Sequence, residues 1–437
     1  MRYVSTRGGP PVAIEQAIMG GTAGDGGLYV PESLPSLDPR AFGATGDNPG
    51  DLPAVAREFL EPFFGGTTLH DRLGQLCRAA FSFPIPLRPL EVDPGVLKVL
   101  ELFHGPTAAF KDVGARFLAH AMEQIIADGQ VTAGPVTVLV ATSGDTGGAV
   151  AAAFHRRPGT RVVVLFPDGR VSPRQQHQLT CWGDNVTSLA VRGGFDDCQR
   201  LVKAAFADSA LRARHRLCSA NSINVGRLLP QAAYYAHASL AHWQASGRPL
   251  SFIVPTGNLG NGFACVWARR AGMPIDRIIL ATNANTTIPD FLATGQWLPR
   301  PSVATLASAM DVGEPSNMER LRNLCTDVDG VRQEVSAVPV TDAGIRATIV
   351  DEYRRHGLAW CPHTATALHV YRELPAAERS GRDWAVVATA HAAKFDTIVE
   401  PLLGTRIAMP PELAAILERP AHFERIDADL AALVDHL

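Results

Sequence analysis

No stretch of about 18 consecutive apolar residues occurs in the 437-residue chain, so a membrane-spanning helix is not expected. The opening Met1-Arg-Tyr-Val-Ser-Thr-Arg-Gly-Gly9 has no apolar core of the kind a secretory signal needs, which points to a cytoplasmic protein. Neither sign of charge is in excess. Lys and Arg number 40, Asp and Glu 43, and the net charge of −3 offers no basic field for nucleic acid. Paired cysteines are missing too. Cys77, Cys181, Cys198, Cys218, Cys265, Cys325 and Cys361 are scattered, odd in number and without a C-x-x-C, which fits reduced, buried thiols. Closely spaced ligand pairs for zinc are lacking, so no metal is expected.

What is present is an ordinary globular composition, 46% hydrophobic, on a chain longer than one core usually serves. Residues 1–95 are rich in Pro and Gly. Gly24-Asp-Gly-Gly-Leu-Tyr-Val-Pro31 reads as a turn and short strand, and Leu52–Phe64 and Leu69–Phe81 carry helical spacing. Val96–Phe103 alternates like a strand. Beyond it, β-rich runs at Val136–Ala141, Arg161–Phe166, Val186–Val191, Ser251–Val254, Arg277–Ala281 and Trp384–Ala388 are separated by helical runs. One of these helices has a start signal, Ser172 as N-cap with Pro173 behind it. Strands alternating with helices predict an α/β protein with parallel sheets covered by helices on both faces.

Three stretches can carry chemistry. Phe103-His-Gly-Pro-Thr-Ala-Ala-Phe-Lys-Asp112 holds a single lysine, Lys111, at the junction of a strand and a helix. Read alone, Lys111 is a snorkelling lysine at a helix start. Two strand–turn–helix units lie downstream, Ala141-Thr-Ser-Gly-Asp-Thr-Gly-Gly148 and Pro255-Thr-Gly-Asn-Leu-Gly-Asn-Gly262. Glycine turns at a helix N-terminus can aim several N–H groups at one anion, although such turns also serve packing alone. Neither turn fits a P-loop or a G-x-G-x-x-G dinucleotide fingerprint. A lysine with two anion-binding turns suits pyridoxal 5′-phosphate (PLP), which needs an amine, a phosphate cradle and a partner for its ring nitrogen.

These residues resemble the threonine synthases, of the longer bacterial and fungal type. The resemblance begins with the Lys111 motif and extends through Asp25–Pro31, Thr142–Gly147, Ala220–Leu228, Gly257–Gly260, Ala309–Val312, Pro362–Ala367 and Thr389–Phe395. It implies a fold-type-II PLP enzyme, like the tryptophan synthase β chain, with the cofactor between two parallel-sheet domains. The expected organisation is an N-terminal segment 1–95 packed on the larger domain, a Lys-bearing strand–helix 96–133 of that domain, a smaller α/β domain 134–225, and the rest of the larger domain 226–437. The activity implied is conversion of O-phospho-L-homoserine and water to L-threonine and phosphate, the last step of threonine biosynthesis, by a monomer or homodimer.

By position, Lys111 would form the Schiff base and then act as acid and base. Gly257, Asn258, Leu259 and Gly260 would bind the cofactor phosphate through backbone N–H groups, and Thr389 would face the pyridine nitrogen. Asp145 would lie near the 3-oxygen, with Ser143, Gly144 and Thr146 near the substrate carboxylate. Asn221, Ser222 and Asn224 would shape the substrate cleft, with helix capping as their alternative role. Arg116, Arg227 and Lys394 are the candidate cations for the substrate phosphate, each with a structural salt bridge as its alternative. His104 and His391 stand in the family blocks with core roles equally open. The chain departs from the family pattern at Ala108, Ala115, Leu259, Asn261 and Ala392. None removes a group the chemistry needs, but they leave room for a relative acting on another γ-activated amino acid, such as a phosphonate analogue. A catalytically silent ligand-binding relative is a third reading, and retention of Lys111 and both turns argues against it.

Overall fold

The computed structural model describes residues 1–42, 51–91, 96–129 and 134–437. In chain order its strands are β1 (Tyr3–Ser5), β2 (Tyr29–Pro31), β3 (Leu87–Glu91), β4 (Val96–Glu101), β5 (Val136–Ala141), β6 (Thr160–Pro167), β7 (Val186–Val191), β8 (Leu217–Ser219), β9 (Leu250–Pro255), β10 (Ile275–Thr282), β11 (Ser336–Pro339), β12 (Asp383–Ala388) and β13 (Glu424–Ile426). They form a β1-β2 hairpin, a six-stranded sheet ordered β11-β10-β9-β12-β4-β3, and a five-stranded sheet ordered β13-β7-β6-β5-β8. The two larger sheets are parallel throughout except where β3 runs against β4. No helix among the described residues is long and apolar enough to cross a membrane.

Strand periodicity explains how each sheet carries helices on both faces. In β9, Phe252 and Val254 enter the central core while Ile253 enters a second core on the opposite face. In β6, Val162, Val164 and Phe166 join the central core, and Val163 and Leu165 face a third. Successive residues of a strand point to opposite sides, so a strand covered on both sides must be apolar at nearly every position. The central core also takes residues of the helices Leu52–Phe64, Lys111–Ala127, Val225–Ser246 and Gly260–Arg270.

The chain is divided between the sheets differently from the sequence reading at two places. Within the 1–95 segment, β3 pairs with β4 and belongs to the six-stranded sheet. The end of the 226–437 segment crosses to the other sheet, where β13 pairs with β7. Ile426, Leu433 and Leu437 there bury against Leu189 and Val191, a burial that outweighs any preference a three-residue Glu-Arg-Ile strand could signal in sequence. The boundaries read at 95/96 and 133/134 adjoin residues outside the described set.

Local signals otherwise hold. Ser172 accepts a hydrogen bond from the Gln175 N–H with Pro173 at the first helical position. Helix Lys111–Ala127 has Lys111 as its first residue. It lies close to helix Val225–Ser246 at Gly114, where a Cβ would stand 2.5 Å from the Arg227 carbonyl oxygen. Overpacking of this kind costs about 1–3 kcal/mol. Gly114→Ala is therefore expected to lower the thermal midpoint of the protein; an unchanged midpoint would refute this packing.

Candidate active site

The cleft is lined from both larger sheets. Lys111 reaches it because of how the preceding loop is tied down. The Leu102 and Phe110 N–H groups donate to the carbonyls of Ala388 and Thr389 (2.9 and 2.8 Å), and the His391 N–H donates to the Ala108 carbonyl. The buried Asp112 carboxylate accepts from the Thr107 N–H at 2.9 Å and the Thr107 hydroxyl at 2.6 Å, folding the loop back on the helix start. This closure puts Ala108 at φ +53°, a conformation costly for a residue with a Cβ. The result is one lysine side chain, 14% exposed, at the cleft wall.

The electrostatics around that amine are asymmetric. Lys111 Nζ stands 3.8 Å from Asp145 Oδ2. Burial pushes the Lys111 amine down to about 8, aided by Lys394 and Arg227 and opposed by Asp145. Burial pushes the Asp145 carboxyl up, but Lys394, Lys111 and His363 outweigh it and hold Asp145 well below the usual carboxylate range. The strongest contact is with Lys394, whose Nζ lies 2.8 Å from Asp145 Oδ1 and also donates to the Thr107 carbonyl at 2.7 Å. Gln175 donates to the same Asp145 oxygen. Asp145 is the one carboxylate among the described lining residues.

Both glycine turns open onto the cleft. In the first, the Thr142 hydroxyl oxygen accepts from the Gly144 and Gly147 N–H groups, both at 2.9 Å, and Gly144 takes φ +141°. This presents Ser143, Asp145 and Thr146 to the cavity, while Gly144 itself stays out of the lining. In the second, Leu259 is left-handed, and a Cβ on Gly257 would stand 2.7 Å from Met310 Cα. The N–H groups of Gly257, Asn258, Leu259 and Gly260 meet no acceptor among the described residues and stand at the start of helix Gly260–Arg270. Donors left unpaired at a helix N-terminus are what a phosphate group requires. With Lys111 and Thr389 on the same cleft, the residues fit PLP.

Not every residue singled out in sequence belongs to the cleft. Arg227, Asn221 and Ser222 line it. Asn224 does not: it is buried, its Oδ1 accepts from the Gly226 N–H, and its amide donates to the carbonyls of Ile18 and Ser219, so capping is its role. Arg116 points elsewhere, donating to the Ala79 carbonyl and the Ser82 hydroxyl. Lys394 is fully buried against Asp145. His104 pairs with Glu101, and His391 accepts from the Ala393 N–H at the start of a short turn. Among the cation candidates, Arg227 alone lines the cavity; its guanidinium donates to the Ala220 carbonyl.

The structure adds residues that no motif signalled. Arg320 is fully buried and donates to Asn317 Oδ1 and to the carbonyls of Ser222, Ile223 and Tyr29. Asn317 donates to the Ser222 hydroxyl and to the Asn258 carbonyl, both at 3.0 Å, and Asn258 donates to the same hydroxyl. One network thus joins β2, the 220–224 segment and the second glycine turn. His363 also lines the cleft, its Nε2 accepting from the Ala309 N–H, and burial pushes its ring down to about 4. Its family block, Pro362–Ala367, was visible in sequence without any role for the histidine.

Comparison with known proteins decides between the readings left open. The sequence model for pyridoxal-phosphate dependent enzymes matches residues 83–390, and those for the threonine synthase N terminus and C-terminal region match 2–81 and 364–437. Threonine synthase from Escherichia coli K12 is 40% identical over 424 residues, spanning 97% of this chain and 95% of that protein. The chain belongs to the threonine synthase family. The crystal structure of the Escherichia coli threonine synthase superposes with a TM-score of 0.90 at 37% identity, covering 100% of this chain and 99% of the other. The PLP-bound threonine synthase of Brucella melitensis gives 0.89 at 36% identity, covering 100% and 98%.

The cradle makes one quantitative prediction. Asn258 accepts from the Ser316 N–H at 2.6 Å and donates to Ser222, so its side chain is fixed beside the phosphate turn. Asn258→Asp is expected to weaken PLP affinity about tenfold or more, roughly 1.4 kcal/mol, by placing a carboxylate against a dianion and breaking the bond to Ser222. Equilibrium titration of the apoenzyme checks it, and unchanged affinity would argue against the contact.

Proposed function

We propose that this cleft converts O-phospho-L-homoserine and water to L-threonine and phosphate, with Lys111 as the residue that holds PLP covalently and then moves protons. The observation that carries the assignment of roles is the largely buried Lys111 amine on the same cleft as a turn of unpaired N–H groups. When bound, PLP withdraws electrons from the substrate α-carbon, which makes loss of the Cα and Cβ protons feasible.

The remaining work falls to the protein. The reaction requires protons to leave Cα and Cβ, phosphate to leave Cγ, a proton to arrive at Cγ, and water to add with its hydroxyl at Cβ and a proton returned to Cα. An amine with a pKa near the working pH can both take and return a proton, which suits Lys111 to the transfers at Cα and Cβ. Gly257, Asn258, Leu259 and Gly260 supply the N–H groups for the cofactor phosphate, and Thr389 supplies a neutral hydroxyl partner for the ring nitrogen. Ser143 and Thr146 offer hydroxyls to the substrate carboxylate at the start of helix Asp145–Phe154. Asn221 and Ser222 form the opposite wall. Arg227 is the cation for the substrate phosphate, since it alone of the three candidates lines the cleft.

Lys111→Ala is expected to lose about 10²–10⁴-fold or more in phosphate release from O-phosphohomoserine while keeping its thermal unfolding profile. Threonine must be identified as the second product of the wild-type protein. Retained turnover in Lys111→Ala would sink the assignment.

A further inference from the structure

Lys394 lies behind the cleft and does not line it. It is fully buried, and its Nζ touches two oxygens, those of Asp145 and of the Thr107 carbonyl. Asp145 in turn divides its carboxylate: Oδ1 meets Lys394 at 2.8 Å and Gln175 at 3.0 Å, and Oδ2 faces Lys111 at 3.8 Å. Three charged groups thus form a line across the two sheets. Lys394 comes from the turn after β12, Asp145 from the turn after β5, and Lys111 from the helix after β4.

A carboxylate beside a catalytic amine presents a problem that this geometry answers. Left alone with Lys111, the Asp145 carboxylate would hold the amine as an ammonium, which is not a nucleophile. A second, permanently buried ammonium on the opposite oxygen takes up that charge. When Lys111 is neutral, Asp145 and Lys394 remain as a closed, neutral pair.

We propose that Lys394 is a positioning residue that pins and neutralises the Asp145 carboxylate, so that the Lys111 amine is uncharged when it reacts. It touches neither the cofactor cradle nor the substrate walls; its action is on Asp145. The inference rests on Lys111 being the PLP-bearing residue. The other groups that act on Lys111 are Arg227, Cys361 and His363. Arg227 works in the same direction as Lys394, and Cys361 has a thiol pushed up by burial and so stays neutral. The His363 ring is held neutral by its burial.

The test uses full-length apoenzyme with PLP as the probe and the rate of covalent capture by Lys111, read by absorbance across the neutral and alkaline range. Wild-type capture should rise with a midpoint near 8, as the amine becomes neutral. Lys394→Met should move the midpoint up by about one unit or more, slowing capture about tenfold at neutral pH. Asp145→Asn should move it down, because Lys394 then faces Lys111 with no intervening charge. The double variant removes attraction and repulsion together and should return toward the wild type. Unmoved midpoints, or a slowing in Lys394→Met that is the same at every pH, would show a merely structural ion pair and overturn the inference. If Lys394→Met does not fold, Asp145→Asn carries the test, and a midpoint that rises or stays fixed overturns it. Failure of the wild type to capture PLP in a Lys111-dependent way is a separate outcome, which removes the cofactor assignment itself.

Discussion

The buried pair of Asp145 and Lys394 is the contact on which the site's geometry depends. It joins the first turn after β5 to the turn after β12, so it spans the two sheets that form the cleft walls. Arg174 reinforces the same seam, donating to the Ala393 carbonyl and pairing with Asp396. A buried ion pair is not by itself a source of net stability, since desolvation offsets much of the attraction. Removing one partner is another matter and costs about 3–5 kcal/mol, because an uncompensated charge is left inside. The pair is better understood as a device for register. The pair fixes the turn after β5 against the turn after β12, on the cleft that Lys111 and the second glycine turn both line.

A second buried charge ties the cleft wall to the rest of the fold in the same way. Arg320 is buried among carbonyls and amides, with Asn317, Ser222 and Asn258 as its neighbours. Burying a guanidinium is tolerable only when its donors are occupied, which fixes every acceptor it meets. The phosphate turn and the 220–224 wall are therefore held by one saturated network. Its N-terminal anchor is the Tyr29 carbonyl, so the first hairpin is part of the active-site scaffold. Thr6 and Arg7 strengthen that docking through Glu319.

Much of this was legible before any coordinates. The β5 and β7 runs were bounded correctly, since strands buried on both faces are rich in β-branched and apolar residues at successive positions. Both glycine turns announced themselves because a left-handed or close-approach backbone has few residue types available. The small strands β8, β11 and β13 were not foreseen. At three or four residues they carry no period and form only because a neighbouring strand edge and an apolar pocket await them.

The division of labour among the charged residues shows where sequence ends. Position in a motif marked Lys111, Arg116, Arg227 and Lys394 alike, because a motif records residue type and order but not direction. The tertiary fold sent Lys111 and Arg227 into the cleft, Arg116 toward the Ala79 carbonyl and Lys394 into the core. Likewise Asn221 and Asn224, three residues apart, parted company at the start of a helix, one facing the cavity and one capping. Family and cofactor class were determined by the sequence, because each needs a local pattern of special residues. Which cations face substrate and which hold a partner in place was decided by packing alone, since that choice depends on how two separate sheets meet.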